Sequence, residues 1–130
     1  MTYADTIWLP PPAELTLDHD EVHVWRAALD LPDGDIARLA RTLAPDELQR
    51  ANRFYFPRDR SHFIVGRATL RLILGRYLRV APEQIGFDYS AYGKPSLAAP
   101  DNQELYQFNL AHSAGMAHMG FTSAPESVGV

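Results

Sequence analysis

The stretch PRDRSHFIVGRATLRLILGRYL, residues 57–78, decides the fold of this 130-residue chain. Most of its large side chains, with one arginine among them, recur at intervals of three or four residues: Phe63, Arg67, Leu70, Leu74, Tyr77 and Leu78. That spacing places them on one face of an α-helix. The pattern therefore predicts an amphipathic helix that begins near Pro57, runs to about Leu78 and ends before Pro82.

The predicted helix carries much of the positive charge of a chain whose formal net charge is −4. Residues 50–79 contain eight of its twelve basic residues, and Asp59 is the one acidic residue among them. Arg60, Arg67 and Arg71 share one face of the helix, where like charges repel. Either a bound anion or carboxylates elsewhere in the fold can compensate them, and a solvated, arginine-rich helix face accounts equally well for the charge.

Shorter predicted elements flank the long helix on both sides. Upstream, the pattern predicts a strand over residues 22–29, a turn over 31–34, a short helix over 36–43 and a second helix that starts at Pro45. Downstream, it predicts a turn over residues 92–95 and strands over 85–89, 106–110 and 116–122, with a fourth strand starting at Ser127. Residues 1–20 are expected to form an irregular arm. This order indicates an α+β fold, an antiparallel sheet packed with about three helices.

Composition excludes several classes of chemistry. The chain has no cysteine, which excludes disulfides, thiolate metal ligands and cysteine nucleophiles. No apolar run approaches the roughly 18 residues that span a bilayer, and the N-terminus lacks the basic start and apolar stretch of a signal peptide. A cytoplasmic protein without a membrane partner is therefore the expectation. No glycine-rich phosphate loop is present, and the spacing of His112 and His118 predicts no metal site.

Three segments of the chain carry a family resemblance when they are taken together. They are RFYFPRDRSHFIVGRATLR at residues 53–71, YGKP at 92–95 and FNLAHS at 108–113. In this order and spacing they resemble the surfactin-synthetase-activator type of 4′-phosphopantetheinyl transferase, which shows an RFxxxxDRxxFxxxRxxLR helix, a GKP turn and an FN(I/L)SHS strand. Each motif alone is weak, so the combination carries the resemblance, which covers about residues 22–130.

The resemblance implies a transferase that moves the phosphopantetheine arm of coenzyme A onto a serine of an acyl or peptidyl carrier protein. Such carriers serve fatty acid, polyketide and nonribosomal peptide biosynthesis. The family has two similar halves with the coenzyme between them and a Mg²⁺ ion at the pyrophosphate. The N-terminal half would contact the 3′-phosphate and adenine, and the C-terminal half would supply the metal-binding and catalytic residues. No catalytic or metal-binding residue is therefore expected in this chain.

Seven residues are expected to contact coenzyme A on the strength of the resemblance: Arg50, Tyr89, Ser90, Gly93, Lys94, Asn109 and His112. Arg50 aligns with a basic position that contacts the 3′-phosphate, and the planar fork of arginine matches phosphate oxygens. Lys94 would contact the coenzyme as a point charge, and Gly93 would let the backbone approach closely.

The remaining expected contacts lie on either side of these residues in the sequence. His112 would reach a phosphate as a hydrogen-bond donor. Tyr89 and Ser90, just before the GKP turn, would border the adenine pocket. Asn109 either contacts the ligand or fixes its own strand, and both alternatives stay open.

Four residues of the motifs qualify the resemblance. Arg67 and Arg71 belong to the family pattern, but arginines inside this helix often pair with carboxylates and are weak candidates for ligand contact. The family's serine before the histidine is Ala111 here, which removes one hydroxyl donor to the coenzyme. His62 stands where a basic residue is common, and a histidine carries less positive charge at neutral pH than lysine or arginine.

The last residues of the chain, Val-Gly-Val at 128–130, match the point at which the family pattern continues into a D(I/V)E metal motif. The expectation is an N-terminal half over residues 21–130, truncated before that motif and without appreciable activity alone. Such a half would expose an apolar face, through which it would bind the missing half or self-associate.

Two other functions stay open. One is a stand-alone coenzyme A or nucleotide-binding domain without catalysis. The other is a nucleic-acid-binding domain that uses the arginine-rich helix, which the net charge of −4 disfavours. The expected partners are therefore coenzyme A and a carrier protein, with no nucleic acid.

Overall fold

The computed structural model describes residues 10–18, 20–98 and 106–123. Its helices are α1, Asp33–Ala40, α2, Pro45–Asn52, and α3, Pro57–Leu78, followed by a short 3₁₀ helix at Pro82–Gln84. Its strands are β1, Val22–Ala28, β2, Phe87–Tyr89, β3, Pro95–Leu97, β4, Tyr106–Ser113, and β5, Met116–Ser123. No described helix combines the length and the apolar character needed to cross a bilayer.

The strands form two antiparallel sheets. β5 lies at the centre of one sheet, between β1 and β4, and β2 pairs with β3 in the other. In the larger sheet, Met119 of β5 lies between Trp25 of β1 and Leu110 of β4. The prediction of an α+β fold with antiparallel strands and about three helices is confirmed. The strands divide between two sheets because the short β2 and β3 pair with each other.

The core is built from α3 and one face of the larger sheet. Side chains alternate along β5, so that Ala117, Met119 and Phe121 are buried on one face. Leu70 and Leu74 of α3 are fully buried in the same cluster. The predicted long helix is therefore confirmed, and its apolar stripe meets the alternating face of β5.

The two ends of α3 lie where the sequence predicts them. Pro57 occupies the first turn, in which an N–H has no helical partner. At the other end, Arg79 has a φ of 59°, and the N–H of Val80 donates to the carbonyl of Gly75 at 3.0 Å. A Cβ on Gly75 would lie only 2.7 Å from the Val80 carbonyl oxygen, so this tight helix end requires glycine.

The turn predicted over residues 31–34 is wrong. Pro32 is the N-cap of α1, and Asp33 and Gly34 already belong to the helix. The acidic residues Asp33 and Asp35 lie in the first turn, where the positive end of the helix dipole favours them. The Pro-Asp-Gly sequence therefore begins a helix here instead of closing a turn.

The strand predictions differ from the structure mainly in length. β4 runs three residues beyond the predicted end at Leu110, because its pairing with β5 continues to Ser113. β3 was not predicted, since a three-residue strand that begins with proline shows too little alternation. The strand expected from Ser127 and residues 1–9 of the expected arm lie outside the described residues.

Candidate functional site

Three buried charged side chains link α2 to α3. Glu47 of α2 is 1% exposed and accepts hydrogen bonds from Arg67 Nη1 at 2.9 Å and from Arg71 Nε at 2.8 Å. The same carboxylate accepts the backbone N–H of Ala44 at 2.7 Å, which caps the start of α2. A carboxylate of the fold therefore compensates two of the three stacked arginines, and Arg67 and Arg71 have a structural role.

The same arginines also fix the chain that follows α3. Arg71 Nη1 donates to the carbonyl oxygens of Pro82 at 2.9 Å and Ile85 at 2.7 Å. Arg67 Nη1 donates to the hydroxyl oxygen of Tyr89 at 2.6 Å. Because Arg50 lies three residues after Glu47 on α2, this network also sets the position of Arg50 relative to the β2–β3 turn.

A cavity of about 320 Å³, which we call the Arg50 cavity, lies beside this network. Its charged and titratable lining residues are Arg50, Asp59, His62, Arg67 and His112. Its larger apolar lining residues are Leu29, Phe54, Phe63, Leu110 and Met119. Apolar walls with a few convergent polar groups are typical of small-molecule sites, and Arg50 and His112 are lining groups that can donate hydrogen bonds to an anionic ligand.

The Arg50 guanidinium lies where α2 meets the β2–β3 turn. Its Cζ is 5.5 Å from the centre of the Phe63 ring, an orientation that allows a cation–π contact. A Cβ added to Gly93 would lie 3.7 Å from both terminal nitrogens of Arg50. Gly93 also has a φ of +82°, a conformation that favours glycine. The turn and the arginine therefore approach closely at one wall of the cavity.

β4 brings His112 to the lining of the Arg50 cavity. His112 pairs with Ala117, and Leu110 pairs with Met119. Ala117 and Met119 are buried, so both pairs lie on the core-facing side of the sheet. β4 is an edge strand in the described sheet and its last five residues are exposed, which leaves His112 accessible to a ligand.

The other four predicted contacts lie in a neighbouring cleft of about 550 Å³. It is lined by Tyr89, Ser90, Lys94 and Asn109, and it shares Pro95 with the Arg50 cavity. Lys94 Nζ donates to Asn109 Oδ1 at 3.2 Å, and the Ser90 hydroxyl oxygen accepts the N–H of Lys94 at 3.0 Å. The seven residues thus form a group of three and a group of four, and their roles as coenzyme contacts stay predictions.

The contact between Asp30 and His62, at the Arg50 cavity, was not predicted from the sequence. His62 Nε2 lies 2.6 Å from Asp30 Oδ1, and Arg58 Nη2 lies 3.7 Å from Asp30 Oδ2. The hydrogen bond with His62 is the main cause that lowers the pKa of the Asp30 carboxyl below its ordinary value, and the charge of Arg58 acts in the same direction. Asp30 and His62 are 32 positions apart, so no local spacing signals their contact.

The described residues provide no metal centre. Within residues 10–18, 20–98 and 106–123, no three His, Asp or Glu side chains are grouped so that they could hold a metal ion.

Comparisons with known proteins agree with the arrangement of motifs. The family profile for the N-terminal region of 4′-phosphopantetheinyl transferases matches residues 32–121. The 4′-phosphopantetheinyl transferase HetI of Nostoc sp. is 53% identical over 110 residues, which cover 85% of this chain and 46% of HetI. The 4′-phosphopantetheinyl transferase Sfp of Bacillus subtilis is 26% identical over 93 residues, which cover 72% of this chain and 40% of Sfp.

A solved structure, the holo-[acyl-carrier-protein] synthase of Neisseria meningitidis, aligns with 80% of this chain at a TM-score of 0.49 and 17% identity, over 97% of its own chain. The chain spans less than half of the length of HetI and Sfp. The family profile and the identity to HetI together show that the chain belongs to the 4′-phosphopantetheinyl transferase family and corresponds to its N-terminal region.

Proposed function

We propose that this chain is the coenzyme-binding N-terminal part of a 4′-phosphopantetheinyl transferase, which moves phosphopantetheine from coenzyme A to a serine of a carrier protein. One observation carries the proposal. Arg50, Gly93 and His112 come from three separate segments of the sequence, and all three line the Arg50 cavity. A ligand site requires residues from distant segments to meet at one cavity, whereas a solvated helix face requires no such meeting.

The lining of the Arg50 cavity suits the 3′-phosphoadenosine end of coenzyme A. Arg50 offers a planar set of N–H donors, and His112 offers a second donor, for the oxygens of the 3′-phosphate. Phe54 and Phe63 add apolar and aromatic surface to the same cavity, and the residues expected to border the adenine, Tyr89 and Ser90, lie in the neighbouring cleft. The neighbouring cleft, with Lys94 exposed at its wall, would receive the part of the coenzyme that extends past Pro95.

The rest of the transferase would supply the remaining chemistry. Phosphoryl transfer depends on neutralising the charge that develops at the phosphates and on positioning the nucleophile. In the proposal, the Mg²⁺ ligands, the catalytic carboxylate and lysine, and part of the carrier-protein surface belong to the C-terminal half. A polypeptide of these 130 residues is therefore expected to bind the coenzyme without appreciable transfer.

Calorimetric titration with coenzyme A and with 3′-dephospho-coenzyme A tests the proposal. We expect the unaltered chain to bind coenzyme A more tightly than the dephospho form, because Arg50 and His112 would meet the 3′-phosphate. Arg50→Ala should weaken coenzyme A binding about 10- to 100-fold, the effect of losing charge-assisted hydrogen bonds, and should leave the dephospho form nearly unaffected. Arg53→Ala is the matched control, because Arg53 is exposed at the end of α2 outside the cavity.

Two results would contradict the proposal: equal binding of both ligands, or an equal loss in the Arg50 and Arg53 variants. Addition of the C-terminal half of the transferase distinguishes the remaining alternative. Restored transfer to a carrier protein supports a transferase part. Binding without any restored transfer supports a stand-alone coenzyme-binding domain.

A further inference from the structure

The contact between Asp30 and His62 places a titratable group in the wall of the Arg50 cavity. Asp30 Oδ1 is 2.6 Å from His62 Nε2. An ionised carboxylate can only accept a hydrogen bond, so Nε2 carries the hydrogen and donates it. The other ring nitrogen, Nδ1, has no hydrogen-bond partner among the described residues. Asp30 thus fixes one side of the imidazole while the ring lines the cavity.

The Asp30 and His62 side chains differ in their exposure to solvent. The Asp30 side chain is 63% exposed, whereas the His62 side chain is 19% exposed. The carboxylate can therefore stay ionised in contact with water. The imidazole is largely enclosed, beside Arg50 and His112, which line the same cavity.

The backbone holds Asp30 in place from the side of the sheet. The N–H of Leu29 donates to the carbonyl of Gly115 at 2.8 Å, which fixes the residue before Asp30 against the β4–β5 turn. Gly115 has a φ of +75°, and a Cβ on it would lie 2.5 Å from Asp30 Oδ2. The absence of a side chain at Gly115 therefore lets the turn approach the carboxylate. The β4–β5 turn therefore lies against the Asp30 carboxylate at the end of the strand that carries His112.

We propose that Asp30 and His62 form a proton-coupled anion site in the Arg50 cavity. When a phosphate group of the ligand enters, His62 Nδ1 takes up one proton from the solvent, and the resulting Nδ1–H donates a hydrogen bond to a phosphate oxygen, while Nε2–H keeps its hydrogen bond to the Asp30 carboxylate. This inference rests on the proposed function, because it deepens the recognition of a phosphate in the same cavity. Asp30 is a positioning residue, and His62 is the residue that contacts the ligand.

The other charged groups around His62 fit this role. Arg58 and Asp59 belong to α3, and Arg58 shares the Asp30 carboxylate with His62. Arg50 of α2 and His112 of β4 line the cavity with His62. Arg67 also lines it, but its charge is compensated by Glu47. A dianionic phosphate would gain from an additional cation here, and histidine supplies one that depends on pH where the family commonly has a permanent charge.

Calorimetry of 3′,5′-ADP binding in two buffers of different ionisation enthalpy measures the number of protons taken up. We expect net proton uptake at pH 7 by the unaltered chain. His62→Gln should reduce this uptake and weaken binding about tenfold, as expected for the loss of one charge-assisted hydrogen bond. His62→Lys should bind well with the same reduced uptake, because lysine is already protonated.

Three further variants separate the roles of the residues. His112→Gln removes the other titratable imidazole of the cavity, so the uptake that remains reports on His62. Asp30→Asn should reduce the proton uptake and weaken binding severalfold at pH 7, and Asp30→Glu should restore part of both. A purely structural role of Asp30 would change the unfolding midpoint without changing the number of protons taken up.

The possible failures are distinguishable. Unchanged proton uptake in both His62→Gln and His62→Lys, with binding retained, would overturn this inference and leave the proposed function intact. Absence of binding of both coenzyme A and 3′,5′-ADP to the unaltered chain would contradict both. Should His62→Gln fail to fold, the comparison of the unaltered chain with His62→Lys decides the question alone.

Discussion

Glu47 is the one buried carboxylate among the described residues. Its side chain is 1% exposed and faces two arginines that are themselves buried, Arg67 at 7% and Arg71 at 3% exposure. A buried ion pair offsets its own desolvation only when its hydrogen bonds are satisfied. Here both carboxylate oxygens accept bonds, and the remaining N–H groups of Arg71 reach backbone carbonyls. Removal of the negative charge would leave two guanidinium groups buried without a counter-ion.

We therefore expect Glu47→Ala to lower the free energy of unfolding by about 3–5 kcal/mol, the usual cost of breaking a buried pair. Asp46→Ala is the matched control, since Asp46 lies in the same first turn of α2 but is exposed, and a change of about 0.5 kcal/mol or less is expected there. Urea denaturation followed by circular dichroism measures both variants. Similar midpoints for the two would show that the network contributes little to stability.

The hairpin of β4 and β5 depends on an unusual two-residue turn. Ala114 has a φ of 53° and Gly115 a φ of 75°, and the flanking residues Ser113 and Met116 pair with each other. Positive φ at both central positions is typical of a type I′ turn, which prefers Asn-Gly. Alanine at the first of these positions is strained, because its Cβ crowds the backbone in the left-handed region.

Replacement of Ala114 by asparagine should therefore stabilise the chain by about 0.5–1 kcal/mol, since asparagine tolerates the left-handed conformation better. Ala91→Asn, in the β2–β3 turn, is the control, because Ala91 is exposed and has no positive φ. Thermal unfolding compares the two variants. A lower unfolding temperature for Ala114→Asn than for the unaltered chain would contradict the strain argument.

The outward face of the larger sheet leaves apolar surface uncovered. Val22 and Val24 of β1 are 65% and 53% exposed, on the face opposite to the core. Gly120 of β5 pairs with Val24, and among the described residues no atom beyond its two chain neighbours lies within 4 Å of the position that its Cβ would occupy. In the proposed function this face, or part of it, is available to the second half of the transferase.

In the absence of such a partner, we expect the 130-residue chain to self-associate through this face at high concentration. Val24→Lys should shift the chain toward the monomer, because a charge would be buried in the contact. Leu72→Lys, at a partly exposed position of α3, should leave the association unchanged. Sedimentation velocity over a range of concentrations measures the distribution. A monomer at every concentration would contradict this prediction.

Local patterns in the chain were sufficient to predict the long helix, its limits at Pro57 and Leu78, the second short helix and the presence of strands β4 and β5. Each of these depends on neighbours within about four residues, through helical periodicity, proline at a helix start or strand alternation. The family was also predictable, because three motifs with fixed order and spacing survive in the linear sequence. Gly93 and His112 belong to two of those motifs, and Arg50 was selected by its alignment with a basic position of the family.

Contacts between residues distant in sequence were determined by tertiary packing. The sequence left open whether Arg67 and Arg71 face a ligand or a carboxylate, and only the approach of α2 to α3 pairs them with Glu47, 20 and 24 positions away. Likewise, the contact between Asp30 and His62 is evident only in the folded chain, where the β4–β5 turn also lies beside Asp30. The seven predicted contacts divide between two clefts that share Pro95, and this division is also evident only in the folded chain. Contacts between residues so distant in sequence are determined by the packing of whole elements, and local spacing in the sequence does not predict them.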